Sequence, residues 1–192
     1  LIGVLCRDLK EKALVVSSDK DLLQCVEFGS SMLHTSKNNK LVDRTNFFDY
    51  TGVSPELFVY YKTILGDSGD NIFGLSGFGE VTAKKLVNTF GSWKNWYVNG
   101  QIIPQVLTSL RKNQRFIAAQ SDTLPILERN FKLMNIGCLI ENDKDELLNE
   151  VLSQQSKVSE EEIRKCFLDN QFESLLGKFH SWMHVFRQLE KG

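Results

Sequence analysis

Cysteine pairs, long apolar runs and a surplus of positive charge are all missing from this chain of 192 residues. Cys6, Cys25, Cys138 and Cys166 stand far apart with no Cys-x-x-Cys pair, which argues against thiolate zinc and dithiol redox motifs and predicts reduced core thiols. No stretch reaches the roughly 18–20 apolar residues that a bilayer-spanning helix requires, and no basic-apolar-small leader opens the chain. The expectation is a soluble, cytoplasmic protein with no membrane partner. Repeats and low-complexity tracts are absent too. A net charge of −1 excludes a uniformly basic nucleic-acid coat, but the charge is unevenly spread. Val81 to Gln120 contains Lys84, Lys85, Lys94, Arg111, Lys112 and Arg115 and no acid, so one basic face is expected.

What is present begins with the spacing of a buried helix face at Ile2, Leu5 and Leu9. Ala13-Leu14-Val15-Val16 is a short β-rich run, expected as a parallel strand buried on both faces. Asp19 and Asp21 then lie where the strand's carboxyl end passes into a helix, the edge at which open α/β sheets bind ligands. Ser31 to Thr35 predicts the next strand, and Lys37 to Lys40 a turn before Leu41-Val42. Ser54-Pro55-Glu56 starts a helix with a capping serine and an apolar stripe of Leu57, Phe58, Tyr61, Ile64 and Leu65. Glu80 opens a second helix with Ala83, Leu86, Val87 and Phe90 on one face, stopped by Gly91. Beyond Trp93 the pattern predicts helices: a stripe at Ile103, Val106, Leu107 and Leu110, another over 145–152, a Ser159/Glu162 capping box, and a last amphipathic segment over 175–189.

Between the two central helices runs Gly66-Asp67-Ser68-Gly69-Asp70-Asn71-Ile72-Phe73-Gly74-Leu75-Ser76-Gly77-Phe78-Gly79. Asp67 and Asp70, with Asp19 and Asp21, offer the carboxylate oxygens that Mg²⁺ prefers. A two-ion site of this kind activates water and stabilises the leaving oxygen in phosphodiester hydrolysis. The same acids also suit Asx turns and a helix cap, and spacing alone leaves both readings open. Gly74, Gly77 and Gly79 allow close backbone approach and present free amides at the start of the Glu80 helix, with Thr82, Lys84 and Lys85 following. Such a grip binds duplex phosphates without base preference; a plain helical hairpin is the competing reading. His34, His180 and His184 lack a suitable acidic third ligand and are read as packing or surface residues, and Trp93, Trp96 and Tyr97 as core or junction.

Val16-Ser17-Ser18-Asp19-Lys20-Asp21-Leu22-Leu23-Gln24, Gly52-Val53-Ser54-Pro55-Glu56, Gly66 to Ile72 and Gly77 to Leu86 closely resemble the 5′ nuclease family. That family comprises flap endonucleases, the 5′ nuclease domain of bacterial DNA polymerase I, and phage 5′ to 3′ exonucleases including those called RNase H. Glu128 to Met134 is more weakly similar to the T4-type phage branch. The resemblance implies an α/β fold: part of a parallel-sheet, PIN-like nuclease core over 1–53, a helix-hairpin-helix (H3TH) region over 54–120, and a C-terminal helical region over 121–192. It implies that Asp19, Asp21, Asp67 and Asp70 are catalytic metal ligands for two Mg²⁺ or Mn²⁺ ions. Gly74, Gly77, Gly79 and Lys84 then meet the duplex, with a K⁺ held by hairpin carbonyls. The implied substrate is duplex DNA with a 5′ flap, nick or RNA primer.

The family's early strand with its Asp, its further acids and its basic arch are not matched here. The sequence therefore resembles a C-terminal portion, expected to be inactive or nearly so unless an N-terminal partner completes the site. A non-catalytic, structure-specific duplex-binding module and a subunit of a split nuclease are the alternatives.

Overall fold

A computed structural model describes residues 2–36, 39–138, 149, 159–171, 173–180 and 183. The chain divides into two compact units, Leu1–Lys144 and Asp145–Gly192. The structure mixes helix and sheet and is mostly helical.

In the first unit, α1 (Ile2–Leu9) buries Val4 and Cys6 rather than the expected face, and Ile2 is exposed. Strands β1 (Leu14–Ser17) and β2 (Ser31–His34) run parallel, and β3 (Lys40–Val42) lies antiparallel to β2. The register aligns Val15, Met32 and Val42, all buried, on one face. Leu14 and Val16 are 47% and 59% exposed on the other, which corrects the strand buried on both sides. The strand alternates because only one face of this three-stranded sheet is packed among the described residues. Asp21 follows on a 3₁₀ helix, Lys20–Phe28, that returns the chain to β2.

After α2 (Phe47–Thr51), α3 (Pro55–Leu65) buries Phe58, Tyr61 and Ile64 of the predicted stripe, with Leu57 and Leu65 partly buried against the core, and buries Val59 and Thr63 as well. Ser54 occupies the N-cap position, but its side chain makes no capping bond, so the start rests on Pro55. Gly66 ends the helix at φ +74° and leads into a two-residue ribbon, β4 (Gly66–Asp67) with β5 (Ile72–Phe73). Helix α4 (Glu80–Phe90) follows, with Ala83, Leu86 and Val87 fully buried, and Gly91 stops it.

Trp93 and Trp96 are core residues, as read. The next segment is not helical: β6 (Tyr97–Val98) and β7 (Gln101–Ile102) form a hairpin around Asn99-Gly100, both at positive φ. Asn-Gly favours this turn because both residues tolerate the left-handed region. Helices α5 (Pro104–Ser109), α6 (Lys112–Ala118) and α7 (Thr123–Met134) complete the unit. Helix α7 packs along α3, with Phe131 stacked on Tyr60 at 5.3 Å and its Leu127 fully buried.

In the second unit, α8 (Glu160–Asp169) starts as predicted, the Ser159 hydroxyl accepting the Glu162 amide at 3.4 Å. Phe167 meets Phe179 edge-on near α9 (Glu173–Leu176). Cys6 and Cys25 are buried free thiols, but Cys166 is exposed, because α8 buries none of its residues. Leu147, Leu148, Val151, Leu152, Trp182, His184, Phe186 and Leu189 lie outside the described residues.

Candidate metal centre and phosphate-facing loop

Two loops carry the acids. Ser17 ends β1, and its hydroxyl accepts the Asp19 amide at 3.0 Å, turning the chain off the sheet. Asp19 is the N-cap of the 3₁₀ helix: its Oδ1 accepts the Asp21 amide at 2.9 Å. That leaves Asp21 pointing across to the β4–β5 ribbon. Asp21, Asp67 and Asp70 each present an oxygen, all within 4.8 Å of one another. Asp19 is not in this group, and its cap bond accounts for its position.

The ribbon is shaped by glycine at two crossings. A Cβ on Gly66 would sit 2.3 Å from the Gly74 amide nitrogen, and one on Gly74 would sit 2.1 Å from the Leu65 carbonyl oxygen. Neither backbone partner can yield, so both positions exclude a side chain. Within the loop, Asp67 Oδ1 accepts the Gly69 amide at 2.8 Å, an Asx turn that coexists with the acidic cluster.

Lys62, in the last turn of α3, lies between the acids, 2.8 Å from Asp21 Oδ1 and 2.6 Å from Asp67 Oδ2. The bond to Asp67 is well aligned, whereas the contact with Asp21 is an ion pair, and that buried Asp21 oxygen has no hydrogen bond among the described residues. The two carboxyls respond differently. Burial pushes Asp21 above the ordinary carboxylate range, only partly opposed by Lys62. Asp67 is less buried, and its hydrogen bond from Lys62 holds it below that range. Burial works against the Lys62 charge, yet its close contacts with the Asp21 and Asp67 carboxylates raise it overall.

Helix α7 fixes both loops. Asn130, fully buried, donates to the carbonyls of Thr63 at 3.1 Å and Phe73 at 2.9 Å, tying the ribbon to α3. Gln24, one turn beyond Asp21, donates to the Met134 carbonyl at 2.9 Å and accepts the Ile136 amide at 3.3 Å. Neither residue stands out in the sequence, and nor does Lys62; its one local signal is a base near a helix C-terminus.

Leaving the ribbon, Leu75 and Phe78 insert into the core and Gly77 turns at φ +76°. Gly79 is the N-cap of α4, and a Cβ there would meet nothing within 4 Å. Gly77 O and Thr82 Oγ1 both accept from Gln114 Nε2, at 2.9 and 3.1 Å. This joins the loop to α6, bringing Arg111, Lys112 and Asn113 beside Gly77. Lys84 and Lys85 diverge, as adjacent helical residues must. Lys84 pairs with Glu80 at 3.6 Å and lies over the Tyr61 ring, whereas Lys85 donates to the Ser109 carbonyl at 3.1 Å. Lys84 therefore borders a cleft beside the acids, together with Lys20, Tyr50, Tyr61, Lys62 and Glu80. His34 is buried in hydrogen bonds to Tyr50, the Ser18 carbonyl and Ser36, a structural histidine.

Comparison with known proteins finds similar chains. Residues 53–136 match the family model described as 5′-3′ exonuclease, C-terminal SAM fold. A 5′-3′ exonuclease of Bacillus subtilis (strain 168) is 33% identical over 129 residues, 66% of this chain and 40% of that protein. The 5′-3′ exonuclease of Mycoplasmopsis pulmonis is 38% identical over 78 residues, 41% of this chain and 26% of that protein. The chain thus spans less than half the length of these relatives. A mutant T5 5′-exonuclease superposes with a TM-score of 0.62 at 18% identity, covering 79% of this chain and 64% of its own. A T5 flap endonuclease in a pseudo-enzyme-product complex with DNA and metal ions gives 0.59 at 19% identity, covering 79% and 56%. The chain is thus similar, over residues 53–136 and beyond, to the C-terminal part of 5′-3′ exonucleases, and it shares its fold with the T5 enzymes.

Proposed function

We propose that this chain is the part of a metal-dependent 5′ to 3′ exonuclease or flap endonuclease that holds one side of the metal site and grips the duplex. The observation that carries the reading is the convergence of Asp21, Asp67 and Asp70 directly ahead of a glycine turn that ends on a helix N-terminus. Their oxygens suit a hard divalent ion, Mg²⁺ or Mn²⁺, in number and type. When bound, the ions supply water activation and charge neutralisation for phosphodiester hydrolysis. Asp21, Asp67 and Asp70 hold the ions, and Asp19 orients Asp21 through its amide.

In this reading α3, the glycine turn and α4 form the helix-hairpin-helix grip, and the β1–β3 sheet is part of a PIN-like core. The Phe78 amide closes the turn on the Leu75 carbonyl at 3.1 Å, and the amides that open α4 after Gly79 face a backbone phosphate, with a K⁺ between carbonyl and phosphate and Thr82 donating its hydroxyl. Lys84 serves the cleft beside the acids, and Lys85 the outer side of the duplex. The substrate is a DNA duplex with a 5′ flap, nick or RNA primer. A second reading, a portion that completes its site with further polypeptide, is favoured by the exposed apolar sheet face of Leu14, Val16 and Leu41.

Calorimetric titration with Mn²⁺, alongside cleavage of a 5′-flap duplex in Mg²⁺, tests both readings. Binding lost in Asp67→Asn and Asp70→Asn, with little cleavage by this chain alone, is the expected result. An absence of Mn²⁺ binding overturns the metal reading. Strong Mg²⁺-dependent cleavage abolished by Asp67→Asn overturns the claim that the site is incomplete.

A further inference from the structure

We propose that Lys62 is the resident cation of the Asp21–Asp67 pair, and that a divalent ion binds only by displacing its ammonium. This inference rests on the metal reading above and adds to it a residue that sets metal affinity from within the site.

Three observations carry it. First, the ammonium occupies the space between the acids, 2.8 Å from one carboxylate and 2.6 Å from the other, with the Lys62 side chain only 12% exposed. An ion held by both Asp21 and Asp67, at inner-sphere distances of about 2.0–2.1 Å, enters the same gap between the carboxylates as the ammonium, and the two cations repel at that range. Nζ and a divalent ion therefore compete for the charge of that pair. Second, the arrangement at Asp21 is unfinished. Its buried Oδ1 has the ion pair but no aligned hydrogen bond, so lone-pair capacity remains for a harder cation. Third, Asp70 completes the three-oxygen cluster, while the ion pairs of Lys62 among the described residues are those with Asp21 and Asp67. A divalent ion therefore gains a ligand that the ammonium does not use.

Displacement has a ready outlet. The cleft that Lys62 borders also holds Lys20 and Lys84, with Glu80 the acid on its wall. An ammonium moved into it sits among like charges, so release opposes metal binding in the absence of an anion. Lys62 thus keeps the acids paired and the fold stable without metal, at the expense of metal affinity. Its removal is expected to tighten metal binding while weakening the metal-free fold.

The test is Mn²⁺ binding followed by the electron paramagnetic resonance of free Mn²⁺, at pH 7 and fixed salt. It compares wild type, Lys62→Met, Lys62→Arg and Asp67→Asn. Lys62→Met is expected to bind at least about tenfold more tightly than wild type, with Lys62→Arg within about threefold of it. The melting temperature of Lys62→Met is lower without metal and recovers with Mn²⁺, which a merely structural lysine would not produce. Equal or weaker binding by Lys62→Met, with wild-type binding still lost in Asp67→Asn, overturns the displacement and leaves the metal reading standing. No Mn²⁺ binding by any variant overturns both. Should Lys62→Met not fold, the side-chain ¹⁵N resonance of Lys62 in the wild type decides: it shifts or broadens as Mg²⁺ saturates the site, and an unchanged resonance overturns the proposal.

Discussion

Asp21 and Asp67 share one lysine and yet respond to pH with opposite signs. Asp67 is lowered by Lys62, so its ionised form stabilises the fold above the ordinary carboxylate pKa, and the contribution is lost as pH falls through the lowered value. Asp21 is raised by burial, so its protonated form is favoured in the fold, and that contribution is lost as pH rises through the raised value. In metal-free buffer, the drop in melting temperature caused by Asp67→Asn is expected to grow from pH 3 to pH 7. The drop caused by Asp21→Asn should shrink over the same range. Parallel trends in the two variants would contradict the assignment. The glycines separate just as clearly. Gly74→Ala forces a methyl against the Leu65 carbonyl and is expected to cost about 3 kcal/mol or more in denaturant unfolding, as overpacking and backbone strain combine. Gly79→Ala meets open space and is expected to cost about 1 kcal/mol or less.

At the scale of elements, α7 is the brace of the site. Asn130→Leu removes the bonds donated to Thr63 and Phe73 and those its Oδ1 accepts from Arg129, leaving the Phe73 carbonyl only the 3.3 Å bond from Arg129; a loss of about 1–3 kcal/mol is expected, with faster amide exchange over residues 67–73. Leu127→Ala, in the same helix but away from the ribbon bonds, is expected to cost about 2–5 kcal/mol through its cavity. That change should not single out residues 67–73 for faster exchange. These roles also mark how far the sequence could be read. Helix α4, its Gly91 stop, strands β2 and β3 and the Ser159 cap follow from signals within a few residues, and the structure has them. The Asn99-Gly100 hairpin carries an equally local turn signal, whereas the helical reading beyond Trp93 rests on apolar periodicity from Ile103 onward. The Asn130 bonds to Thr63 and Phe73 and the Gln24 bond to Met134 span 67, 57 and 110 positions, and no local pattern carries them. The role of Lys62 is hidden for a related reason: its partners Asp21 and Asp67 lie on two other elements, the 3₁₀ helix and β4, which meet only after folding. The double-sided burial of β1 failed because a β-rich run shows strand propensity, not what covers each face.

For the molecule as a whole, the central claim is that one loop serves two separable tasks, with carboxylates for metal at its start and a glycine turn for a duplex phosphate at its end. The most direct measurement is fluorescence anisotropy of a labelled 5′-flap duplex without divalent metal, with the full chain as wild type, Asp70→Asn and Gly79→Ala. The binding should weaken steeply with salt, as phosphate contacts require. Asp70→Asn removes a negative charge near the phosphate path and is expected to leave duplex affinity unchanged or raised. Gly79→Ala, folded by circular dichroism, is expected to lower it about tenfold by crowding the amides that face the phosphate. Unaltered affinity in Gly79→Ala, or a loss in Asp70→Asn as large as that predicted for Gly79→Ala, would contradict the division of the loop.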